Sequence, residues 1–178
     1  MDLDLFRSIN LGWRNPLCDV FFAALSYSGL GSCVAIVAIV LLLKKEARIY
    51  AFSMGLAAIL GGTAIAHTFK GLMPRERPSN LPFAVVQEPI YHSSFPSAHT
   101  ATAFAVATAL AILASRQGKW WGVILAYIWA FGVGLSRIYR GVHWPTDVAG
   151  GICAGIIGGC LATIIIDLVT KGDPSKKA

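Results

Sequence analysis

Charge is what this sequence has least of. Asp, Glu, Lys and Arg together make up 13% of its 178 residues, about half the ~25% share of ordinary soluble domains. A soluble domain this small keeps most of its residues near water, and so few charges would hardly cover it. Carboxylates are the scarcer sign, nine against fifteen Lys and Arg, for a formal net charge of +6. Cysteine is limited to Cys18, Cys33, Cys153 and Cys160, with no CxxC and no histidine at zinc spacing, which excludes zinc-finger and redox-motif readings. They read instead as small buried packing residues. There is no internal repeat, and the collagen and coiled-coil compositions are absent. Asp2, Asp4 and Arg7 give no cationic leader region, so no cleavable signal is expected. What is abundant is apolar: 56% of the residues, with a mean hydropathy of +0.64. That excludes intrinsic disorder and leaves a small integral membrane protein. The basic balance fits loops facing the cytoplasm. No basic run is interleaved with exposed aromatics, so nucleic acid is not an expected partner.

The apolar stretches predict an all-α bundle with five or six membrane segments in one domain, residues 1–170. Phe6 and Ile9 make a stripe with Asp2, Arg7 and Asn10 opposite, so residues 1–14 read as a short interfacial helix. Val20 to Leu43 runs 24 residues without a charge, enough for one crossing. Ser26 to Ser32 interrupts it, which leaves the count at five or six. Further spans are expected over about 49–69, 97–114, 120–135 and 148–169. Trp120, Trp121 and Trp144 read as interface anchors. A proline-rich polar loop joins Lys70 to Pro96, a shorter one joins Ser136 to Asp147, and residues 171–178 read as a disordered polar tail. Gly151, Gly155 and Gly159 line one face of the last helix, for close packing within the monomer or for dimerisation. Nothing in the sequence sets the oligomeric state.

If the spans alternate, Lys44, Lys45, Arg48, Arg116, Lys119, Lys171, Lys176 and Lys177 fall on one side, which is then cytoplasmic. The other side nevertheless carries Lys70, Arg75, Arg77, Arg137 and Arg140. Cations there break the rule and ask for another reason. Lys70, Arg77 and Arg137 brought together would repel one another unless an anion sat among them. Guanidinium forks and an ammonium suit phosphate oxygens. Pro96-Ser97 opens a helix whose free N–H groups point to the same place, and Ser97 adds a hydroxyl. His143 and Asp147 are four residues apart around Pro145. Asp147 would hold one imidazole nitrogen and leave the other as a nucleophile. His99, from another helix, would act as general acid. The set describes a phosphate cradle that uses no metal and no cofactor.

Three stretches carry a family resemblance: Lys70 to Arg77-Pro78, Pro96-Ser97-Ala98-His99, and Ser136-Arg137 through His143 to Asp147. Together they resemble the type 2 phosphatidic acid phosphatase superfamily, the integral membrane lipid phosphate phosphatases. Ala98 stands where that family usually has Gly; its backbone N–H survives, but its Cβ narrows the space beside a phosphate. The resemblance implies His143 as nucleophile, Asp147 as its partner and His99 as general acid, then base. It implies Lys70, Arg77, Ser97, the Ala98 N–H and Arg137 as phosphate ligands. It also implies a lipid phosphomonoester or pyrophosphate substrate presented by the bilayer. Candidates are undecaprenyl pyrophosphate, phosphatidylglycerol phosphate, phosphatidic acid and a lipid A phosphate. The site is expected at the extracytoplasmic helix ends of a protein of the inner (plasma) membrane. The alternative is a non-catalytic lipid-binding protein or transporter. The similar vanadium haloperoxidases are soluble, which the uninterrupted spans argue against. His67 is left between the site and helix packing, His92 is expected on the surface, and Arg75 and Glu76 read as an interfacial pair, with contact to a second substrate phosphate as the alternative for Arg75. Arg140 reads as a headgroup contact and Asp167 as partnerless.

Overall fold

The computed structural model describes residues 1–88 and 93–171. The expectations for His92 and for the tail after Lys171 lie outside the described residues. Described residues are helical or irregular, with no strand among them. The order is α1 (Asp2–Asn10), α2 (Pro16–Ser28), α3 (Gly31–Leu42), α4 (Arg48–Ala57), α5 (Ala66–Leu72), α6 (Ala98–Arg116), α7 (Trp120–Tyr139) and α8 (Pro145–Lys171). A π-helical stretch, Ala58–Ile65, makes α4 and α5 one continuous rod. By length and apolarity, four helices suffice to cross a membrane: Lys45–Leu72, α6, α7 and α8. A fifth crossing exists if α2 and α3 count as one span. They meet at a 63° bend, where Gly29-Leu30 breaks the uncharged run, and neither half alone has the ~20 residues a crossing needs. Among the described residues the count is therefore four or five, which meets the expected five or six only at five.

α6 sits at the centre, with 72% of its apolar window inside the protein against 33–39% for the other three. Ala101, Ala103, Ala105, Ala107 and Ala109 leave almost no side-chain bulk there and are all fully buried. α8 can therefore lie directly on the α6 backbone. A Cβ built on Gly155 would stand 2.6 Å from the Ala101 carbonyl oxygen, and one on Gly159 2.5 Å from that of Ala105. The glycine face of α8 is thus used within the monomer, by the small-residue packing typical of helices in lipid. Gly158, on the neighbouring face, meets Gly61 of the π stretch in the same way.

Phe6 and Ile9 of α1 are buried, as their stripe implies. Asn10 is not on the exposed side as expected. It is fully buried, and its side chain grips Val85 through both N–H and C=O and donates to the Tyr139 carbonyl at 2.8 Å. Single-helix periodicity misses this because the partners come from a loop and from the end of α7. The cysteines are less buried than expected: Cys153 is exposed and the other three are half-buried.

Candidate active site

One end of the bundle gathers the last turn of α5, the irregular segments 73–88 and 93–97, the first turns of α6 and α8, and the last turn of α7. Lys70 closes α5, and its Nζ donates to the Ser93 carbonyl at 2.7 Å and to that of Ser94 at 3.3 Å. Arg77 precedes the Pro78–Asn80 turn and donates to Val142 O at 2.7 Å and to Ser93 O at 3.3 Å. One carbonyl, Ser93, thus holds both cations. Ser97 is the N-cap of α6, and its Oγ accepts from Thr100 Oγ1 at 2.9 Å. Its backbone N–H reaches Asp147 O at 3.0 Å and joins the starts of α6 and α8. Ala98 is the first residue of α6, where a helix leaves an N–H without an intrahelical acceptor. His99 follows in the same turn, within electrostatic reach of Arg137, Glu88, Arg77 and Lys70.

Gly141 ends α7 at φ +77, a left-handed angle that suits glycine. A Cβ there would also stand 2.3 Å from Val85 O. The chain then reverses and brings His143 beneath Arg77. One guanidinium nitrogen lies 3.2 Å from His143 Nε2. A guanidinium only donates, so Nε2 must present its lone pair and Nδ1 carries the proton. Nδ1 faces Asp147 Oδ2 at 3.4 Å and has no hydrogen-bond partner closer than that. The contact is longer than a formed hydrogen bond, as such contacts often are before substrate arrives. Burial, with Arg137 and Arg77, pushes the His143 imidazole down to about 3 against the pull of Asp147. It is therefore neutral near pH 7, the form that can attack. Burial, then Arg137, also lowers Arg77, though a guanidinium stays charged.

Asp147 is fully buried. Its Oδ2 accepts from the Ser94 hydroxyl and from Trp144 N at 2.8 Å, and its Oδ1 accepts from Arg75 at 2.7 Å. Arg137, 3% exposed, forms a two-pronged pair with Glu88 at 2.6 and 3.0 Å and also donates to the Ser26 hydroxyl. Arg140 reaches the same carboxylate at 2.5 Å. Burial alone would raise Glu88, but the two arginines hold it down to about 2. Among the described residues no three His, Cys, Asp or Glu side chains are grouped as a metal site.

Residues 46–171 match the PAP2 superfamily. The chain belongs to that superfamily. In Aquifex aeolicus LpxE, a crystal structure 34% identical, the fold superposes with a TM-score of 0.77 over 90% of this chain and 93% of that one. An undecaprenyl-diphosphatase of Sulfolobus acidocaldarius is 29% identical over 99% of this chain and 82% of its own length. A lipid A 1-phosphatase of Porphyromonas gingivalis is 41% identical over 83 residues. That match takes in 47% of this chain and only 18% of the relative, so the chain spans under a fifth of that protein's length. The protein is thus a membrane-embedded member of a phosphatase family.

Around this PAP2 site several neighbours differ from their expected places. Arg75 does not pair with Glu76; it joins Asp147 to Asp2. Arg140 is 4% exposed and bound to Glu88, not held out for a headgroup. Trp144 packs on Phe6 with ring centroids 5.5 Å apart and donates to Glu76 O, so it belongs to the rim of the site and not to an anchoring belt. Trp120 and Trp121 are exposed as anchors would be. His67 points outward and joins neither the site nor the packing. Asp167, at the opposite end, is held by Arg116. Glu88, Ser94 and Asp2 were missed. The signal for Glu88 was arithmetic: five buried or half-buried cations in one place demand carboxylates when no phosphate is bound.

Proposed function

We propose that the protein hydrolyses a lipid phosphomonoester or pyrophosphate, without a metal, through a phosphohistidine on His143. The observation that carries this reading is the neutral His143 ring held between Arg77 at Nε2 and Asp147 at Nδ1. A phosphoryl group entering the cradle draws Arg77, Lys70 and Arg137 onto its oxygens, with the Ser97 hydroxyl and the Ala98 N–H at the start of α6. Arg77 then releases the Nε2 lone pair. Nε2 attacks phosphorus in line and forms a P–N bond as the P–O bond to the leaving group breaks. Asp147 stabilises the charged ring through Nδ1–H. His99 gives its proton to the leaving oxygen, then takes one from the water that cleaves the P–N bond and returns His143 to its neutral state. Lys70, Arg77 and Arg137 supply the positive charge that a phosphate would neutralise. The exposed Lys44, Lys45, Arg48 and Lys119 support a cytoplasmic reading of the opposite end, and with it an outward-facing site.

The test is a panel of undecaprenyl pyrophosphate, phosphatidylglycerol phosphate, phosphatidic acid and a lipid A phosphate, assayed side by side in detergent with excess chelator. Turnover of at least one, with an acid-labile phosphoenzyme lost in His143→Ala, is expected. A strict magnesium requirement would overturn the mechanism. For the orientation, a cysteine placed at exposed Asn80 should react with an impermeant thiol reagent in intact cells. Labelling only after lysis would reverse it.

A further inference from the structure

The segment that matches the PAP2 superfamily begins at residue 46, so α1 lies outside it. Yet α1 reaches the site. Asp2 Oδ2 accepts from Arg75 at 2.7 Å and from Thr146 Oγ1 at 2.6 Å, and Asp2 Oδ1 accepts from Thr146 N at 3.1 Å. Thr146 is the residue before Asp147 in the first turn of α8, where a carboxylate is favoured by the exposed N–H groups. Arg75 spans the two acids: one nitrogen meets Asp147 Oδ1 at 2.7 Å, the other meets Asp2. Phe6 of α1 packs on Trp144, whose ring faces the Arg75 guanidinium 5.6 Å away.

The division of labour on Asp147 follows from these contacts. Arg75 occupies Oδ1. Ser94, Trp144 N and His143 share Oδ2. A carboxylate fixed at one oxygen cannot swing, so the other stays aimed at the imidazole. Without Arg75, Oδ1 would be a buried acceptor lacking its charged partner, and the carboxylate would pivot about Oδ2, which Ser94 and Trp144 N still hold, and lose its aim at the imidazole. We propose that Arg75 and Asp2 are positioning residues for the Asp147–His143 pair, so that α1 is a working part of the site and not only a surface helix. The inference rests on the roles given to His143 and Asp147 above.

The experiment compares the full chain with His143→Ala, Arg75→Gln, Arg75→Lys, Asp2→Asn and the Asp2→Asn/Arg75→Gln double variant. Each is assayed on p-nitrophenyl phosphate and phosphatidic acid across pH, with inhibition by orthovanadate as a measure of an assembled cradle. Arg75→Gln should lower kcat by about 10²-fold, the scale of an ångström of misplacement, with KM and vanadate inhibition close to wild type. Arg75→Lys should recover part of the loss, and Asp2→Asn should lose less than Arg75→Gln. The double variant should match Arg75→Gln alone, since both residues act through one contact. The charged groups facing His143 are Asp147, Arg77 and Arg137. Arg75→Gln leaves the Asp147 charge unshared, so the acidic limb of kcat/KM should move to higher pH. A change in KM and vanadate inhibition alone would make Arg75 a phosphate ligand and overturn the inference. So would additive losses in the double variant, or an unmoved pH limb. If Arg75→Gln does not fold, Arg75→Lys and Asp2→Asn decide by the same kcat and pH criteria. Wild-type activity in His143→Ala would sink the reading of the site itself. A dead His143→Ala beside an unaffected Arg75→Gln would sink only this inference.

Discussion

The two ends of the bundle hold the same residue types in opposite states. At one end Arg116 meets Asp167 at 2.6 Å, with side chains 47% and 26% exposed, and Lys44, Lys45, Arg48 and Lys119 stand in the open. At the other end Arg137 and Arg140 share Glu88 with side chains 4%, 5% and 16% exposed. A charge left near water costs little and contributes little. A charge taken into the protein must be matched closely or it destabilises the fold. The open end needs no explanation beyond solvation and orientation. The closed end carries a desolvation cost that fold stability alone does not require, and on the proposed reading a bound phosphate supplies the reason to carry it.

The largest effect expected at the closed end is on chemistry. His143→Ala should abolish turnover of both a lipid phosphate and p-nitrophenyl phosphate, since it removes the proposed nucleophile. His99→Ala should cost about 10²–10⁴ on a lipid alkoxide leaving group and much less on p-nitrophenol, which leaves without a proton. A rapid acid-labile phosphoenzyme trap checks the assignment. A phosphoenzyme in His143→Ala but not in His99→Ala would swap the two roles.

Next comes the stability of the same end. Glu88→Ala leaves Arg137 and Arg140 buried without their carboxylate, and breaking buried pairs commonly costs about 3–5 kcal/mol. Thermal unfolding in detergent should show the loss. Orthovanadate should raise the melting temperature of this variant more than that of the wild type, because an oxyanion replaces the missing charge. Equal shifts would separate Glu88 from the anion site.

The pH dependence follows from His143. Its folded value of about 3 lies below the ordinary 6.5, so the unfolded chain binds the proton first as pH falls. Stability is fully present above about pH 6.5 and is lost as pH falls toward 3. Glu88, held at about 2 against an ordinary 4.5, adds a second loss only below about pH 4.5. Melting temperature followed between pH 7 and 5 should therefore fall in the wild type and stay flatter in His143→Gln.

Between the two ends lies the seam of α6 and α8. Gly155→Ala places a methyl 2.6 Å from the Ala101 carbonyl oxygen, backbone that cannot step aside. An overpacking loss of about 1–3 kcal/mol is expected, read as a lower melting temperature with the protein still in its original oligomeric form. A change of oligomeric state instead would return the glycine face to an intermolecular role.

How much of this was legible depended on whether a residue's place is set by its own helix. Lys70, Ser97, His99, Arg137 and Asp147 sit within a turn of helix ends, and helix ends show in hydropathy and proline placement. The α2–α3 break was visible as Ser and Gly in an apolar run, but not its 63° angle, which packing decides. Asn10, Glu88, Ser94 and the Arg75–Asp2 link were not legible. Their partners lie 49 to 144 positions away, through a loop whose path no periodicity encodes. Charge counting could have demanded a carboxylate near Arg137, though not which one.

The smallest effect belongs to the open end and is the sharpest control on the comparison. Arg116 and Asp167 make a two-pronged pair at 2.8 and 2.6 Å, geometry as good as that of Arg137 with Glu88. If geometry set the energy, losing either pair would cost the same. Water sets it instead: half-exposed charges exchange one set of good contacts for another, and salt screens what remains. Arg116→Ala should therefore cost only about 0–1 kcal/mol. Coupling with Asp167→Ala in a double-mutant cycle should stay inside that range and shrink further at high salt, with turnover unchanged. A loss as large as that of Glu88→Ala would mean that burial is not what divides the two ends.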